Sequence, residues 1–216
     1  MRKKRIGLIR VLTTTDKELL NLHGKMIMKW FPELEVVSDC IPNQPEGVHD
    51  DETEAIAVPK VVDLAVKMEK DGMDAVVVSC AGDPGVEPAT KKLSIPIIGA
   101  GRSAAAAARV LERPVGVLGI TEKVPGPILE MLGSQIKADT IPRGVISTLD
   151  LMKPEGMAAT IEAGRDLMGR GAEVLLLACT GMSTIGAAQK LREELGIPVV
   201  DPVRAEAAVA WLLVSL

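Results

Sequence analysis

The sequence predicts an α/β protein of two similar Rossmann-like lobes with parallel sheets, related by a pseudo-twofold internal duplication and facing each other across a cleft. Apolar strand segments alternate with helical segments along the 216 residues, which is typical of parallel sheets joined by crossover helices. Residues 72–82 match residues 171–181 without a gap, and residues 93–98 match residues 195–200 in the same order. Each repeat unit is about 100 residues long, which is too long for a solenoid repeat.

The elements of the first lobe follow from hydrophobic pattern and turn residues. In chain order we assign a strand over 4–11, a helix over 16–30, a strand over 34–38, a loop over 39–53, a helix over 53–71 and a strand over 75–79. Threonines and Asp16 at the end of the first strand are suited to cap the first helix. The loop is assigned from its Pro, Asn, Asp, Glu and Gly residues.

The second lobe is assigned mainly from the repeat. Residues 5–9 resemble residues 114–118, which marks the first strand of the second unit. We therefore assign residues 1–100 to the first lobe and residues 101–216 to the second. We expect the last helix, about residues 204–216, to pack back on the first lobe.

Composition excludes several classes of protein. Hydrophobic residues make up 47% of the chain, which excludes a disordered protein. Aromatic residues make up 1% and the net charge is −4, so we expect no nucleic-acid partner. No apolar run reaches the roughly 18 residues that a membrane span needs. Three cysteines without close pairing argue against a disulfide framework and favour a cytoplasmic protein.

Cys80 and Cys179 occupy equivalent positions in the two repeat units. Each follows a buried strand and precedes a glycine-containing turn, and open α/β sheets bind ligands beyond the carboxyl ends of their strands. If the lobes are related by a pseudo-twofold axis, the two thiols face each other across the cleft. One thiolate then removes a proton from one face of a carbon acid while the other thiol delivers a proton to the opposite face. Backbone N–H groups in these turns are suited to stabilise a thiolate or an enolate oxygen.

Other interpretations of the cysteines stay open at this point. A buried cysteine is often a small hydrophobic residue with no chemical role. Cys40 follows a short strand and has no counterpart in the second unit, so we interpret it as structural. The chain has no Cys-x2-Cys or closely spaced His pattern, so we expect no metal site.

Around both cysteines the sequence resembles the aspartate/glutamate/hydantoin racemase superfamily, with the hydantoin racemase branch most similar. The resemblance is carried by three segments, residues 79–85 (Ser-Cys-Ala-Gly-Asp-Pro-Gly), residues 178–182 (Ala-Cys-Thr-Gly-Met) and residues 196–201 (Gly-Ile-Pro-Val-Val-Asp). It implies a cofactor-independent enzyme in which Cys80 and Cys179 are the two acid/base groups. It also implies a homo-oligomer, since members of the superfamily usually form one.

Two departures from the superfamily bear on the substrate. Amino-acid racemases of this group typically place Asn-Thr after the first cysteine, to help hold the substrate carboxylate, whereas Ala81 and Gly82 follow Cys80 here. Hydantoin racemases usually end their first strand in an Asn-Pro-Asn-Thr-like segment, whereas residues 10–14 read Arg-Val-Leu-Thr-Thr. The first departure argues against free aspartate or glutamate, and the second changes contacts expected for hydantoin.

Several further residues are candidates for substrate binding, each with a structural alternative. Asp83 orients either the Cys80 turn or a substrate N–H, or it forms the turn before Pro84. Thr180 binds a substrate carbonyl or caps the following helix. The complete candidate set for substrate binding is Ala81, Gly82, Asp83, Thr180, Gly181, Thr13 and Thr121. We interpret His23 as a packed or surface histidine, and the loop that holds His49 as solvated or as a lid.

The sequence thus predicts a cofactor-independent racemase or epimerase acting on a small amino-acid derivative, with 5-substituted hydantoins first. One alternative is a cis–trans isomerase or decarboxylase of the same superfamily. The resemblance implies that malonate decarboxylases need only one of the cysteines, so the retained pair argues against that activity. The other alternative is a two-lobed protein that binds a small molecule without turnover.

Overall fold

A computed structural model describes residues 2–216 and contains two parallel four-stranded sheets. The first sheet has the order β2-β1-β3-β4 and the second has the order β6-β5-β7-β8. The first four strands are β1 (Lys4–Arg10), β2 (Leu34–Cys40), β3 (Ala75–Ser79) and β4 (Ile97–Gly99). The second four are β5 (Val115–Leu118), β6 (Ile136–Thr140), β7 (Val174–Leu177) and β8 (Val199–Val200). Because each sheet repeats the same strand order, the predicted α/β fold and its internal duplication are confirmed.

Ten α-helices connect these strands in the described part of the chain. Those of the first half are α1 (Lys17–Trp30), α2 (Asp51–Lys70), α3 (Val86–Thr90) and α4 (Ala100–Arg109). Those of the second half are α5 (Gly126–Leu132), α6 (Thr148–Leu151), α7 (Gly156–Gly169), α8 (Thr180–Thr184), α9 (Ala187–Leu195) and α10 (Pro202–Ser215). None of these helices is both long and apolar enough to cross a membrane.

Local sequence explains where the first two long helices begin. Asp16 caps α1 by accepting hydrogen bonds from the backbone N–H groups of Glu18 and Leu19. Asp50 and Thr53 form a reciprocal capping box at the start of α2. The sequence pattern predicts this helix start at Thr53, whereas α2 begins at Asp51. The difference arises because Asp50 supplies the cap and Thr53 is the third helical residue.

The central strands β3 and β7 are buried along their whole length. Their near-continuous apolar sequences suit strands that helices cover on both faces. Two helices pack across between the halves: α4, which follows the first sheet in the chain, covers the second sheet, and α10, which follows the second sheet, covers the first. Ala104 and Ala108 of α4 pack with Val117 and Val174 of the second sheet. In return, α10 packs its Val203, Ala207 and Ala210 against β1 and β3 of the first sheet.

Candidate active site

A cavity of about 890 Å³ lies beyond the carboxyl ends of strands from both sheets. Cys80, which follows β3, and Cys179, which follows β7, both line it. Residues 47–54 and residues 120–126 contribute further walls from the two halves of the chain. The duplicated strand ends therefore bring the two thiols into one chamber.

Cys179 lies in a turn rich in hydrogen-bond donors. It is the N-cap residue of α8, so its side chain lies at the N-terminus of that helix, where the Met182 N–H donates to the Cys179 carbonyl oxygen at 3.1 Å. The hydroxyl of Thr148 lies 3.7 Å from Cys179 Sγ. A Cβ added to Gly181 would lie 2.4 Å from Thr148 Cγ2, so only glycine permits this close approach. This packing fixes the Cys179 sulfur against its donors.

Cys80 has fewer donors and more negative neighbours. The backbone N–H of Gly82 points to its sulfur, and the carboxylates of Asp83 and Glu54 lie nearby. Burial, reinforced by these charges, raises the pKa of the Cys80 thiol far above its ordinary value. Burial also raises the pKa of Cys179, but Thr148, two N–H groups and Arg10 oppose the shift. The surroundings of Cys179 therefore favour its thiolate more than those of Cys80 do.

A buried polar network joins the two cysteine turns. His23 of α1 is fully buried, with Nδ1 2.9 Å from Ser79 Oγ and Nε2 2.8 Å from Thr184 Oγ1. Burial, helped by the charge of Arg10, holds the pKa of His23 well below 6.5, so its ring is neutral at neutral pH. The Thr180 hydroxyl donates to the Ser79 carbonyl oxygen over 3.0 Å. These bonds link the end of β3 to helix α8 across the two halves of the chain.

Charges on the cavity wall are mostly negative. The acidic lining residues are Asp50, Asp51, Glu52, Glu54, Glu122 and Asp139. Lys123 also lines the cavity and forms an ion pair with Asp51 at 2.8 Å, joining the walls that the two halves contribute. Burial and the neighbouring Asp51 raise the pKa of Glu54. Arg10 supplies the buried positive charge on this wall.

Six of the residues predicted for the site line the cavity. They are Cys80, Ala81, Gly82, Thr121, Cys179 and Thr180. The structure does not bring Thr13, Asp83 or Gly181 to the cavity surface.

Each of these three has a structural position instead. Thr13 donates to the Ile41 carbonyl oxygen over 2.6 Å and accepts from the Gln44 N–H over 2.7 Å. Asp83 accepts hydrogen bonds from the backbone N–H groups of Gly101 and Arg102, at 2.6 and 2.8 Å, in the first turn of α4. Gly181 lies in α8 in close contact with Thr148, where a larger residue would not fit. Thr13 thus holds the segment after β2, and Asp83 holds α4 against the Cys80 turn.

Among the lining residues that the sequence did not suggest for substrate contact, four have side chains that can bear on the chemistry. They are Arg10, Glu54, Thr148 and His49. Arg10 could have been found from the sequence, because a charged residue at the end of a largely apolar strand is rarely buried unless it has a partner or a function. Glu54 lies in the first turn of α2, where an acidic residue is favoured by the helix dipole alone, and Thr148 belongs to a four-residue helix without periodic signal. In residues 2–216 no group of three or more His, Cys, Asp or Glu side chains is arranged to hold a metal ion.

Comparison with known proteins places this site in a family. The family model for Asp/Glu/hydantoin racemases matches residues 25–210. The chain is 28% identical over 185 residues to a hydantoin racemase of Pseudomonas sp. (strain NS671), covering 80% of this chain and 71% of the relative. It is 27% identical to a hydantoin racemase of Paenarthrobacter aurescens, covering 84% and 79% of the two chains.

Solved structures agree with the sequence comparison. The structure of an allantoin racemase from Klebsiella pneumoniae superposes with a TM-score of 0.84 at 25% identity, covering 98% of this chain and 88% of the other. The resemblance seen at the two cysteine segments is therefore confirmed over nearly the whole fold. The chain belongs to the Asp/Glu/hydantoin racemase family and is a racemase of that superfamily.

Proposed function

We propose that the protein racemises a hydantoin-like amino-acid derivative without a cofactor, using Cys80 and Cys179 as its two acid/base groups. One observation carries this proposal: the two thiols follow equivalent strands of a duplicated fold and line a single cavity. A racemase needs a proton acceptor and a proton donor on opposite faces of one carbon. Two groups delivered from two facing sheets meet that need.

Hydantoins fit the supporting observations better than free amino acids. Relatives that match most of the chain are named hydantoin racemases, and a similar structure is named an allantoin racemase. Hydantoin and allantoin share a five-membered ring whose C5–H lies beside a carbonyl, which makes that proton acidic. Ala81 and Gly82 follow Cys80 where side-chain donors for an amino-acid carboxylate would otherwise stand.

The proton transfers balance without an external reagent. The Cys179 thiolate takes the C5 proton and becomes a thiol, while the electron pair moves into the adjacent carbonyl as an enolate. The Cys80 thiol then gives its proton to the opposite face of C5 and becomes a thiolate, and the carbonyl re-forms. The opposite enantiomer reverses these roles. Cys179 starts as the base because its donors and Arg10 favour its thiolate over that of Cys80.

The two thiols differ in how well their surroundings stabilise a thiolate, and this difference assigns their roles. General bases work best when their pKa lies near the working pH. Burial works against both thiolates, whereas the N–H groups of Gly181 and Met182 and the Thr148 hydroxyl favour the Cys179 thiolate. Cys80 lacks most of these donors, so it holds its proton until the enolate forms.

The test is hydrogen exchange in heavy water. Single enantiomers of several 5-substituted hydantoins, N-acyl amino acids, aspartate and glutamate are incubated with the wild-type protein. Deuterium gain at the α-carbon is followed by NMR together with optical rotation. We expect exchange with loss of rotation for hydantoins and none for free aspartate or glutamate. Exchange confined to the free amino acids would contradict the substrate class, and no exchange with any compound would contradict the proposal as a whole.

The protein's assembly is a separate part of the proposal. We propose a homo-oligomer on the resemblance to the superfamily alone. Light scattering on a size-exclusion column tests this directly, since a mass near 22.8 kDa would indicate a monomer.

A further inference from the structure

Arg10 is a buried charged residue at the end of the central strand β1. Its side chain is only 5% exposed, and it lines the cavity beside Cys179. In the sheet it pairs in register with Cys40 on one side and Ser79 on the other. Its Nη1 donates a 2.8 Å hydrogen bond to the carbonyl oxygen of Leu19 in α1. The strand and this bond fix the guanidinium in the cavity wall, at the end of β1 between β2 and β3.

No carboxylate in residues 2–216 forms an ion pair with Arg10. No carboxylate oxygen of the described residues lies within 4.0 Å of the Arg10 nitrogens. The acidic group nearby is Glu206 of α10, which is fully buried and has no hydrogen bond on either carboxyl oxygen. Burial raises the pKa of Glu206 well above its ordinary value, although Ser79 and Arg10 oppose this shift. Within the described residues no carboxylate therefore forms an ion pair with Arg10, and the anion that the proposed mechanism places beside it is the Cys179 thiolate.

The free donors of Arg10 are available to a ligand. A guanidinium carries five N–H donors in a rigid fork that matches a carboxylate. Nε and Nη2 make no hydrogen bond to residues 2–216, and neither is a fully enclosed unsatisfied atom. These donors therefore open toward the cavity. A buried, unpaired cation is costly unless an anion completes its surroundings.

Arg10 is the basic residue of the cavity lining that is best placed to bind an anion. Apart from Arg10, the described lining contains Lys123 and His49 as basic residues. Lys123 is exposed at the mouth and already pairs with Asp51, and His49 lies next to Asp50. Carboxylates dominate the remainder, so the wall as a whole does not attract anions. An anionic group of a ligand is therefore expected to bind at the Arg10 guanidinium, beside Cys179.

We propose that Arg10 binds a carboxylate of the substrate, and that the preferred substrates are hydantoins whose 5-substituent ends in a carboxylate. This inference rests on the proposed function, because it assumes that the carbon acid lies between Cys80 and Cys179. It goes further by naming the substrate class and the residue that selects it. The substituent carboxylate then lies on the Arg10 side of the cavity and accepts hydrogen bonds from the guanidinium.

The test compares an acid with its neutral isostere. Hydantoin-5-acetic acid and hydantoin-5-propionic acid are each paired with their primary amides, and kcat/KM for racemisation is measured for all four. We expect the wild-type protein to prefer the acids roughly 10- to 100-fold, the range for a hydrogen bond to a charged group. Arg10→Gln is expected to abolish this preference by slowing the acids more than the amides, which slow only through the weaker Cys179 base, and Arg10→Lys to retain part of the preference. Arg109→Gln, which removes an exposed arginine from the end of α4, is the matched control and should keep the full preference.

The outcomes separate this inference from the proposed function. If wild-type protein racemises acids and amides equally well, or prefers the amides, the inference is wrong although the racemase proposal stands. If Arg10→Gln slows acids and amides by the same factor, Arg10 acts on the enolate or on Cys179, and the inference is again wrong. If no hydantoin is racemised at all, the proposed function itself fails. The wild-type comparison decides the substrate class even if Arg10→Gln does not fold, and Arg10→Lys then tests the role of the residue.

Discussion

The Thr180 hydroxyl donates a hydrogen bond of 3.0 Å to the backbone carbonyl oxygen of Ser79. Thr180 follows Cys179 and Ser79 precedes Cys80, so one buried bond ties the two cysteine turns together. The relative position of the thiols therefore depends on a contact between the two sheets and not only on each sheet by itself. Small displacements of reacting groups are costly in catalysis.

Thr180→Val removes this bond while keeping the shape of the side chain. We expect the free energy of unfolding to fall by about 1 kcal/mol, the usual net value of a hydrogen bond. We expect kcat for racemisation to fall at least about tenfold, because the two thiols lose their fixed spacing. Urea unfolding and polarimetry measure the two effects. Thr180→Ser keeps the hydroxyl and should retain most of the activity; a Val variant with wild-type kcat would show that the bond is only structural.

The two thiols should differ in the pH at which they react. Burial raises the pKa of each thiol, but Thr148, two backbone N–H groups and Arg10 oppose this shift at Cys179, whereas Glu54 and Asp83 reinforce it at Cys80. Alkylation by iodoacetamide, followed for each cysteine by peptide mass spectrometry, should therefore reach its midpoint at a lower pH for Cys179 than for Cys80.

Two variants control this comparison. Thr148→Val should raise the midpoint of Cys179 alone, since it removes the hydroxyl 3.7 Å from that sulfur. Glu54→Gln should lower the midpoint of Cys80, since it removes a negative neighbour. A lower midpoint for Cys80 than for Cys179 in the wild-type protein would refute the assignment of the resting base.

Asp83 should make stability fall as pH rises from acid toward neutral. Burial raises the pKa of Asp83 from 3.8 to about 7 in the folded protein, although two backbone N–H groups oppose this. Below 3.8 both the folded and the unfolded chain hold the proton, so its stabilising effect is fully present. Between 3.8 and about 7 only the folded chain holds it, and stability declines by up to about 1.4 kcal/mol per pH unit. Urea unfolding at a series of pH values measures this slope.

Asp83→Asn isolates the contribution of this carboxyl. Asparagine tolerates the left-handed backbone at this position, where φ is 53°, and its carbonyl keeps one of the two N–H partners. We expect the variant to be less stable than wild type at low pH and to lose the decline toward neutral pH. The same pH slope in wild type and variant would mean that another group titrates.

His23 should contribute to stability with the opposite sign. Its folded pKa lies well below the ordinary 6.5 because the ring is buried and near Arg10. The unfolded chain therefore gains a proton that the folded chain does not, so stability is present above 6.5 and is lost as pH falls below it. His23→Gln, which cannot titrate and retains polar atoms toward Ser79 and Thr184, should remove this loss. Hydrogen-exchange protection at α1 and α8 at pH 5 and pH 7 measures the effect locally, and equal protection ratios in both proteins would rule it out.

Much of the fold and the central pair of residues could be predicted from the sequence because they depend on pattern. The segments around Cys80 and Cys179 repeat without a gap, and parallel strands put their carboxyl ends at one edge of a sheet. The repeat by itself therefore predicts that the two cysteines share one cavity. The apolar pattern also predicts strand β3 over its full observed length, because a buried parallel strand is a continuous apolar run.

The residues that tune the site depend on contacts that a sequence does not show. His23 meets Ser79 and Thr184 only because α1 and α8 lie side by side in the folded chain. Asp83 stands beside the Cys80 turn in sequence, yet its carboxylate turns away to the N–H groups at the start of α4. Arg10 differs in sequence from the hydantoin racemase pattern. Only the folded structure shows that Arg10 is buried and that the nearby Glu206 of α10 is buried without a hydrogen bond.

The most direct test of the proposed mechanism replaces each of the two cavity-lining cysteines separately. Single enantiomers of a hydantoin that the wild-type protein racemises are incubated in heavy water with Cys80→Ser and with Cys179→Ser. The two-base account predicts that each variant loses racemisation and retains at most exchange of one enantiomer, catalysed by the remaining thiol. Cys40→Ser is the matched control and should behave as wild type, because its sulfur lies outside the cavity lining. Full racemisation by both single variants would contradict the central claim that Cys80 and Cys179 share the proton transfer.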